Sequence, residues 1–511
     1  MGILTPYFGL DGLILILSAI TAAYVYMTRN FNYWKKRGVV EVQPTAFIGN
    51  FGDCLFLRKS PGQFLKDIYD MGKNTPYVGL FVFDKPFLLL RDPQVIKRVL
   101  VKDFNYFNDR YVRVSEEDKL GNSNLFIIKN PDWKTLRAKL SPIFTSLRLK
   151  KMFELMVEVG KDLDTYLQTE GLEGVGRSLE MKEICAKFTT DLIGSTAYGL
   201  KVNSLNNPDA EFRKCGRKIF TYNIRRAVEL TSIFFKPEIV KPLGFKFFEK
   251  ESTEFLRNVF WNTINQRMES GIKRNDLIDL LIELKKNQEN NPEQNGFNFD
   301  GDNLVAQAAI FFTAGYETSA TTMSFTLYEL AKNPDFQKRL RVEILDAIKN
   351  NGGEITYNML VILPYLDSVV SETLRMYPPA TFLDRVAMQD YRIPATELII
   401  EKGTPIFIPL YGFHYDPEYF HNPEIYNPER FSEENKKSIT PFTYLPFGDG
   451  PHVCIGQRLA LLQVKLGLVH IISKYEISPC KETIIPVQID PKAILTTSKG
   501  GLYLNLKKIT T

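Results

Sequence analysis

The sequence predicts a mainly α-helical fold with a small β region, one large domain behind an N-terminal apolar segment. Three observations carry this expectation. Between about residue 130 and residue 380, apolar residues recur at three- and four-residue spacing. The clearest stretches are 133–140, 147–167, 181–197, 276–286 and 302–333, the pattern of helices with a buried face. After Pro378 the texture changes to short strand-like runs, TELII and TPIFIPL, joined by the turn signal Glu401-Lys402-Gly403. No repeat, low-complexity stretch or linker divides the chain after residue 50.

The elements follow in order. Residues 12–28 (GLILILSAITAAYVYMT) carry no charge. At about 1.5 Å per residue they fall a little short of a hydrocarbon layer roughly 30 Å thick, so the span 1–28 reads as a membrane anchor. Arg29, Lys35, Lys36 and Arg37 follow it, and no acid appears before Glu41. A cleaved signal peptide carries its basic residues ahead of the apolar run, the reverse of this order. Basic residues after the run orient the remainder to the cytosol. Residues 29–50 form a basic linker that ends in VVEVQPTAFIGN, and 51–511 form the globular body. Within it a loop rich in Pro, Tyr and Asn runs to Phe431, then a compact Gly-Pro stretch, then a helix from about 455 to 475. Strands close the chain near Ile494 and at 502–506.

Composition excludes several classes. With 64 Lys and Arg against 59 Asp and Glu, the net charge of +5 is too balanced to suggest nucleic acid, and no Gly-rich phosphate loop is present. The 37 Phe and 24 Tyr suit a large core or an apolar pocket. Cysteines stand at 54, 185, 215, 454 and 480, odd in number and without a CxxC pair, which argues against disulfides or zinc. Four histidines (414, 421, 452, 470) and no HExxH leave a lone cysteine as the best candidate for holding a metal.

That cysteine is Cys454. Gly448, Gly450 and Gly456 surround it in the segment Pro446-Phe447-Gly448-Asp449-Gly450-Pro451-His452-Val453-Cys454-Ile455-Gly456, directly before a helix. Glycines permit positive φ and close approach of backbone to a flat ligand. A helix N-terminus favours thiolate, and thiolate is the donor that pushes electron density into haem iron. The competing reading is a structural cysteine ahead of a helix.

The loop resembles the FxxGxxxCxG haem signature of the cytochrome P450 family, with Phe447, Gly450, Cys454 and Gly456 in register. It departs at His452, where the family usually has an arginine for a haem propionate; a histidine is only partly charged near neutral pH. The resemblance implies the P450 fold, haem b (iron protoporphyrin IX) as cofactor and Cys454 as axial iron ligand. Ala314-Gly315-Tyr316-Glu317-Thr318-Ser319 resembles the family's oxygen-binding stretch, which makes Thr318 and Glu317 the catalytic pair that binds dioxygen and relays protons. Ala314 and Thr318, four apart, share a helix face. A Gly and a Thr in mid-helix loosen the hydrogen-bond ladder and leave a groove. Glu372-Thr373-Leu374-Arg375 resembles the ExxR pair, which with Arg430 implies a buried structural triad. Trp133 and Arg137 match the WxxxR helix that contacts a propionate, and Arg110 and Arg385 sit where relatives supply further arginines to the same carboxylates.

The resemblance is strongest to the microsomal enzymes of insect family six. It implies a monooxygenase anchored in the endoplasmic reticulum membrane by a single-span or peripheral anchor, its catalytic domain cytosolic. It further implies lipophilic substrate and O2, and electrons from NADPH through cytochrome P450 reductase, with cytochrome b5 as an additional partner and no nucleic acid. The pocket is expected from 104–126, 310–318, 379–383 and 495–501, made apolar by Phe311, Phe312, Phe382 and Leu383. Segment 233–248 fits a second membrane-dipping patch. Lys134, Arg137, Lys139, Arg148, Lys150, Lys151, Arg458 and Lys465 form an expected basic surface for an acidic reductase. A haem-thiolate isomerase or dehydratase acting on a peroxide, and a non-catalytic haem protein, are the alternatives. The Glu317-Thr318 pair argues against the first, and only His452 favours the second.

Overall fold

The computed structural model describes residues 7–221, 223–290 and 297–509. The chain divides into two compact units, Met1–Tyr111 with Phe382–Phe413, and Val112–Thr381 with His414–Thr511.

The first unit opens with helix α1 (Phe8–Thr28), followed by α2 (Pro61–Met71), whose first turn is closed by a capping box between Ser60 and Gln63. Its sheet runs in the order 77–82, 85–90, 405–409, 382–386. The first two strands form a tight antiparallel hairpin, and 85–90 pairs in parallel with 405–409. Both hairpin strands are almost continuously apolar, as strands covered on both faces are. Residues 34–50 pack on this sheet. Trp34 is fully buried, its Nε1 donating to the Leu80 carbonyl at 3.2 Å, and bridges join Glu41 to Gly79 and Gly49 to Val82. A Cβ on Gly79 would lie 2.3 Å from the Trp34 ring, so only glycine fits there.

The second unit is helical. Its main helices are α3 (Asp132–Leu140), α4 (Ser146–Thr169), α5 (Met181–Ile193), α6 (Glu211–Ile219), α7 (Ile224–Phe235), α8 (Lys250–Ser270), α9 (Asp302–Lys332), α10 (Pro364–Met376) and α11 (Gln457–Ile472). Most of α9 from Leu304 to Ala331 is buried, and its many Ala, Ser and Thr residues let neighbours approach closely. Glycines mark two such crossings. A Cβ on Gly315 would meet Ile193 Cδ1 of α5 at 2.3 Å, and one on Gly467 of α11 would meet Met323 Cε of α9 at 2.2 Å. Strands 177–180, 503–508 and 475–478 form an antiparallel sheet at the edge of this unit.

The predicted helices form within a few residues of their expected ends. The stretch 181–197 stops being α-helical at Ile193, passes through a wider turn at Gly194–Tyr198 and ends on left-handed Gly199. The expected strand near Ile494 is replaced by isolated bridges, Ala380 to Leu495 and Ile489 to Ser498. The 77–90 hairpin was not anticipated, because its uniform apolarity lacks the alternation that marks a half-exposed strand.

The two ends of the segment 233–248 are core, while its middle is exposed, with Leu243 58% accessible. Ile233, Phe235, Phe247 and Phe248 are buried, as hydrogen bonding of the segment 246–248 explains. Asp118 accepts from Phe247 N at 2.7 Å and Phe248 N at 3.3 Å, while Arg226 donates to the carbonyls of Lys246 and Phe247. The carboxylate and the guanidinium are both buried.

Candidate functional site

Cys454 is exposed and precedes the first helical residue of α11 by three positions. Its amide donates to the Phe447 carbonyl at 2.9 Å, which closes the loop. Gly448 and Gly450 take φ of +72° and +71°, the left-handed values that glycine tolerates and that were expected of this loop. Gly456 differs. It is the helix N-cap with φ of −91°, and a Cβ there would make only an ordinary 3.8 Å contact with Phe144. His452 is buried, its ring 3.8 Å from that of Trp133. Sequence reading paired these two only through the cofactor; here they touch directly. Arg137, on the same helix as Trp133, is half-buried.

Within α9 the burial is interrupted at Phe311, Ala314, Gly315 and Thr318, four positions on one helical face. Phe311 stacks on Phe144, the ring beside Gly456, with centroids 5.5 Å apart. The open face of α9 and the cysteine loop are thus joined through one side chain. Thr318 Oγ1 donates to the Ala314 carbonyl at 2.7 Å, so its proton is held within the helix and its oxygen keeps acceptor capacity. Glu317 is buried and pairs with Lys182 Nζ of α5 at 2.9 Å. At Gly315 the missing side chain also makes room for Ile193, whose Cδ1 lies 2.3 Å from where a Cβ would stand. Phe312 is also core, enclosed by Tyr198, Phe212 and Tyr316, and does not line a pocket.

Glu372, Arg375 and Arg430 meet as predicted. Arg375 grips Glu372 through Nε and Nη2, both at 2.8 Å, with both side chains fully buried, and Arg430 Nε reaches Glu372 Oε1 at 3.3 Å. His414 belongs to the same cluster, although the sequence carried no signal for it. Its Nδ1 lies 2.9 Å from the Arg375 carbonyl and its Nε2 accepts from Leu445 N at 3.3 Å. Those roles require the neutral ring with the proton on Nδ1. Burial, reinforced by the Arg375 charge, draws its pKa down to about 3.

In the first unit, Arg385 is buried and Arg110 lies 3.5 Å from the adjacent Asp384. Arg385 donates through Nη1 to the Asp384 carbonyl at 2.7 Å, while its Nε finds no partner. Burial and the Arg110 charge pull the Arg385 guanidinium down to about 9. The unpartnered Nε of Arg385 is a buried donor that an acceptor oxygen of a ligand could satisfy. Phe382 instead packs on Phe407, with centroids 5.3 Å apart, and Leu383 is half-exposed.

The fold and these constellations define a haem-thiolate protein. The donor set of the second unit suits the cofactor: an exposed cysteine in a glycine loop, an open stripe on a buried helix joined to it by Phe144, and Arg137 and His452 beside Trp133 as donors able to meet a carboxylate. The Cytochrome P450 family model matches residues 43–505. The chain is 48% identical to cytochrome P450 6k1 of Blattella germanica, over 98% of this chain and 97% of that protein. It is 45% identical to a probable cytochrome P450 6g2 of Drosophila melanogaster, over 97% and 98% of the two chains, and 41% identical to cytochrome P450 6j1 of Blattella germanica, over 95% of each. The chain belongs to the cytochrome P450 family, the haem b monooxygenases.

Of the expected reductase-facing residues, Lys134, Lys139, Lys150, Lys151 and Arg458 are exposed. Lys465 is not part of such a surface. It is buried, with Nζ 2.6 Å from Asp367 and donating to the Leu360 carbonyl at 2.9 Å. Arg148 is half-exposed and lies 3.5 Å from Glu283.

Proposed function

We propose that this enzyme inserts one oxygen atom of O2 into a lipophilic small molecule, with Cys454 as the residue that would hold the haem iron and with electrons from NADPH delivered by cytochrome P450 reductase. The observation that carries the reading is the open stripe 311, 314, 315, 318 on a buried helix, tied through Phe144 to the loop of an exposed cysteine. Thiolate-ligated haem, when bound, supplies oxygen activation with O–O cleavage favoured. The chain's own residues do the rest. Phe447, Gly448, Gly450 and Gly456 shape the loop around Cys454. Trp133, Arg137 and His452 are assigned one carboxylate contact of the cofactor. Thr318 Oγ1 and the Glu317 carboxylate hold and move the protons that the reaction RH + O2 + two electrons + two protons → ROH + H2O consumes. Ala314 leaves Thr318 accessible.

The half-exposed Phe311 makes the open face of α9 apolar, which favours lipophiles over charged metabolites. Lys134, Lys139, Lys150, Lys151 and Arg458 present the positive surface that steers an acidic reductase, with cytochrome b5 as a second donor. Gly9–Thr28 is long and apolar enough to cross a membrane, which supports residence in the endoplasmic reticulum with the catalytic domain in the cytosol.

The carbon-monoxide difference spectrum of the reduced protein tests the ligand. The red-shifted Soret band of thiolate ligation is expected in the parent and lost in Cys454→Ser. Folded, haem-loaded parent protein without that band would overturn the assignment. NADPH-dependent product formation with added reductase tests the electron source.

A further inference from the structure

We propose that Phe144 is a positioning residue for substrate selection, one that sets how wide a lipophile reaches Thr318 by fixing the ring of Phe311. The inference rests on the reading that the open face of α9 receives the substrate. Of the four residues on that face, Phe311, Ala314, Gly315 and Thr318, only the first has a bulky side chain, so the placing of its ring governs the width left beside it. Phe311 is half-exposed, whereas Phe144 is buried and meets it face to face, with ring centroids 5.5 Å apart and planes 14° from parallel. An aromatic side chain in a helix has two common χ1 settings, and a flat partner on one side selects between them.

Phe144 lies outside the segments expected to line the pocket. It ends the tight 3-10 turn Ser141–Phe144 that joins α3 to α4. Core filling alone does not account for a flat ring here, since the neighbouring Leu140 and Ile143 fill the interior with aliphatic groups. The ring is wedged between two elements. One face meets Phe311 of α9, and its Cε1 would stand 3.8 Å from a Cβ on Gly456, the N-cap of α11. Its backbone is clamped as well. Arg458 of α11 donates through Nη1 to the Phe144 carbonyl at 3.4 Å, and through Nη2 to Ser146 Oγ at 2.8 Å and the Tyr357 hydroxyl at 3.3 Å. Tyr357 packs in turn on Phe153 of α4, with centroids 6.0 Å apart. Phe144 is thus a fixed plate against which Phe311 rests. Without the plate, Phe311 has vacated space to retreat into, and the face of α9 widens.

The test uses the full-length, haem-loaded protein in its oxidised state, without reductase, and reads the shift of the Soret band on titration with imidazole and with the bulkier 4-phenylimidazole. Phe144→Leu lowers the Kd of 4-phenylimidazole relative to that of imidazole by roughly three- to tenfold, the size of one aromatic contact. Phe311→Leu moves the ratio in the same direction, and adding Phe144→Leu to it changes the ratio no further, because Phe144 acts through Phe311. Phe144→Tyr keeps the flat face and the parent ratio. A merely structural loss would weaken both probes together and leave their ratio alone. If Phe144→Leu does not load haem, Phe144→Met carries the test, since it fills the space without a flat face and gives the same shift. An unchanged ratio in a variant that retains the reduced carbon-monoxide band overturns the role of Phe144, and full additivity in the double variant overturns its path through Phe311. A parent protein that shows the carbon-monoxide band but responds to neither probe overturns instead the reading of α9 as the ligand face.

Discussion

At His414 a neutral ring bridges two backbone segments, and its state makes a prediction with a definite sign. The folded ring has a pKa of about 3, below the ordinary value of 6.5, so the unfolded chain binds the extra proton between those values. Stability is therefore fully present above pH 6.5 and is lost as pH falls towards 3, at about 1.4 kcal/mol per pH unit for one group. Urea unfolding between pH 7 and pH 5 checks this, and His414→Gln should show a shallower slope than the parent. Asp164 works in the same direction at lower pH. Burial alone would raise its carboxyl, but hydrogen bonds from His470 and Lys474 hold it below the usual range, so its contribution is lost in acid. At this scale the sequence was legible where the chemistry is contiguous. Cys454 and its glycines lie within nine residues, and Glu372 and Arg375 share a helical turn. His414 depends on Arg375, 39 positions away, and Lys182 on Glu317, 135 away, and no local pattern announces such pairs.

Helix and strand crossings carry the next two predictions. Gly315→Ala puts a methyl group against the tip of Ile193, a flexible end that can yield, and should cost about 1 kcal/mol. Ile193→Val should recover part of it. Gly79→Ala meets the fully buried Trp34 indole, which cannot turn aside, so the loss should be larger, nearer 3 kcal/mol. Chemical unfolding midpoints rank the two, and the reverse order would show that the indole has room to shift. The ionic triad responds most strongly. Glu372→Gln leaves Arg375, fully buried, without its carboxylate, and a loss of about 3–5 kcal/mol is expected, seen as a lower unfolding midpoint and poor haem retention. Helices were legible as elements because their apolar spacing is local. Why Gly315 is glycine was not, since Ile193 reaches it from another helix.

Over the whole molecule, α1 is the feature that composition alone foretold. Only 6% of an apolar 18-residue window within Gly9–Thr28 is buried in the fold, so its apolar surface is left for another medium. Deleting residues 1–28 should shift the protein from the membrane pellet to the soluble fraction after carbonate extraction, with the reduced carbon-monoxide spectrum retained. Retention in the pellet would point to other membrane contacts. The sheets were the least legible part, because 85–90 pairs with 405–409 across more than three hundred residues and both strands lack alternation. The segment 246–248 shows what such distant pairing does. It belongs to no helix or strand, yet two of its amides are held by Asp118 and two of its carbonyls by Arg226. In deuterated water the amides of Phe247 and Phe248 should therefore exchange as slowly as those of the neighbouring helices, and Asp118→Ala should release them selectively. Irregular in shape, these three residues would be among the last to open.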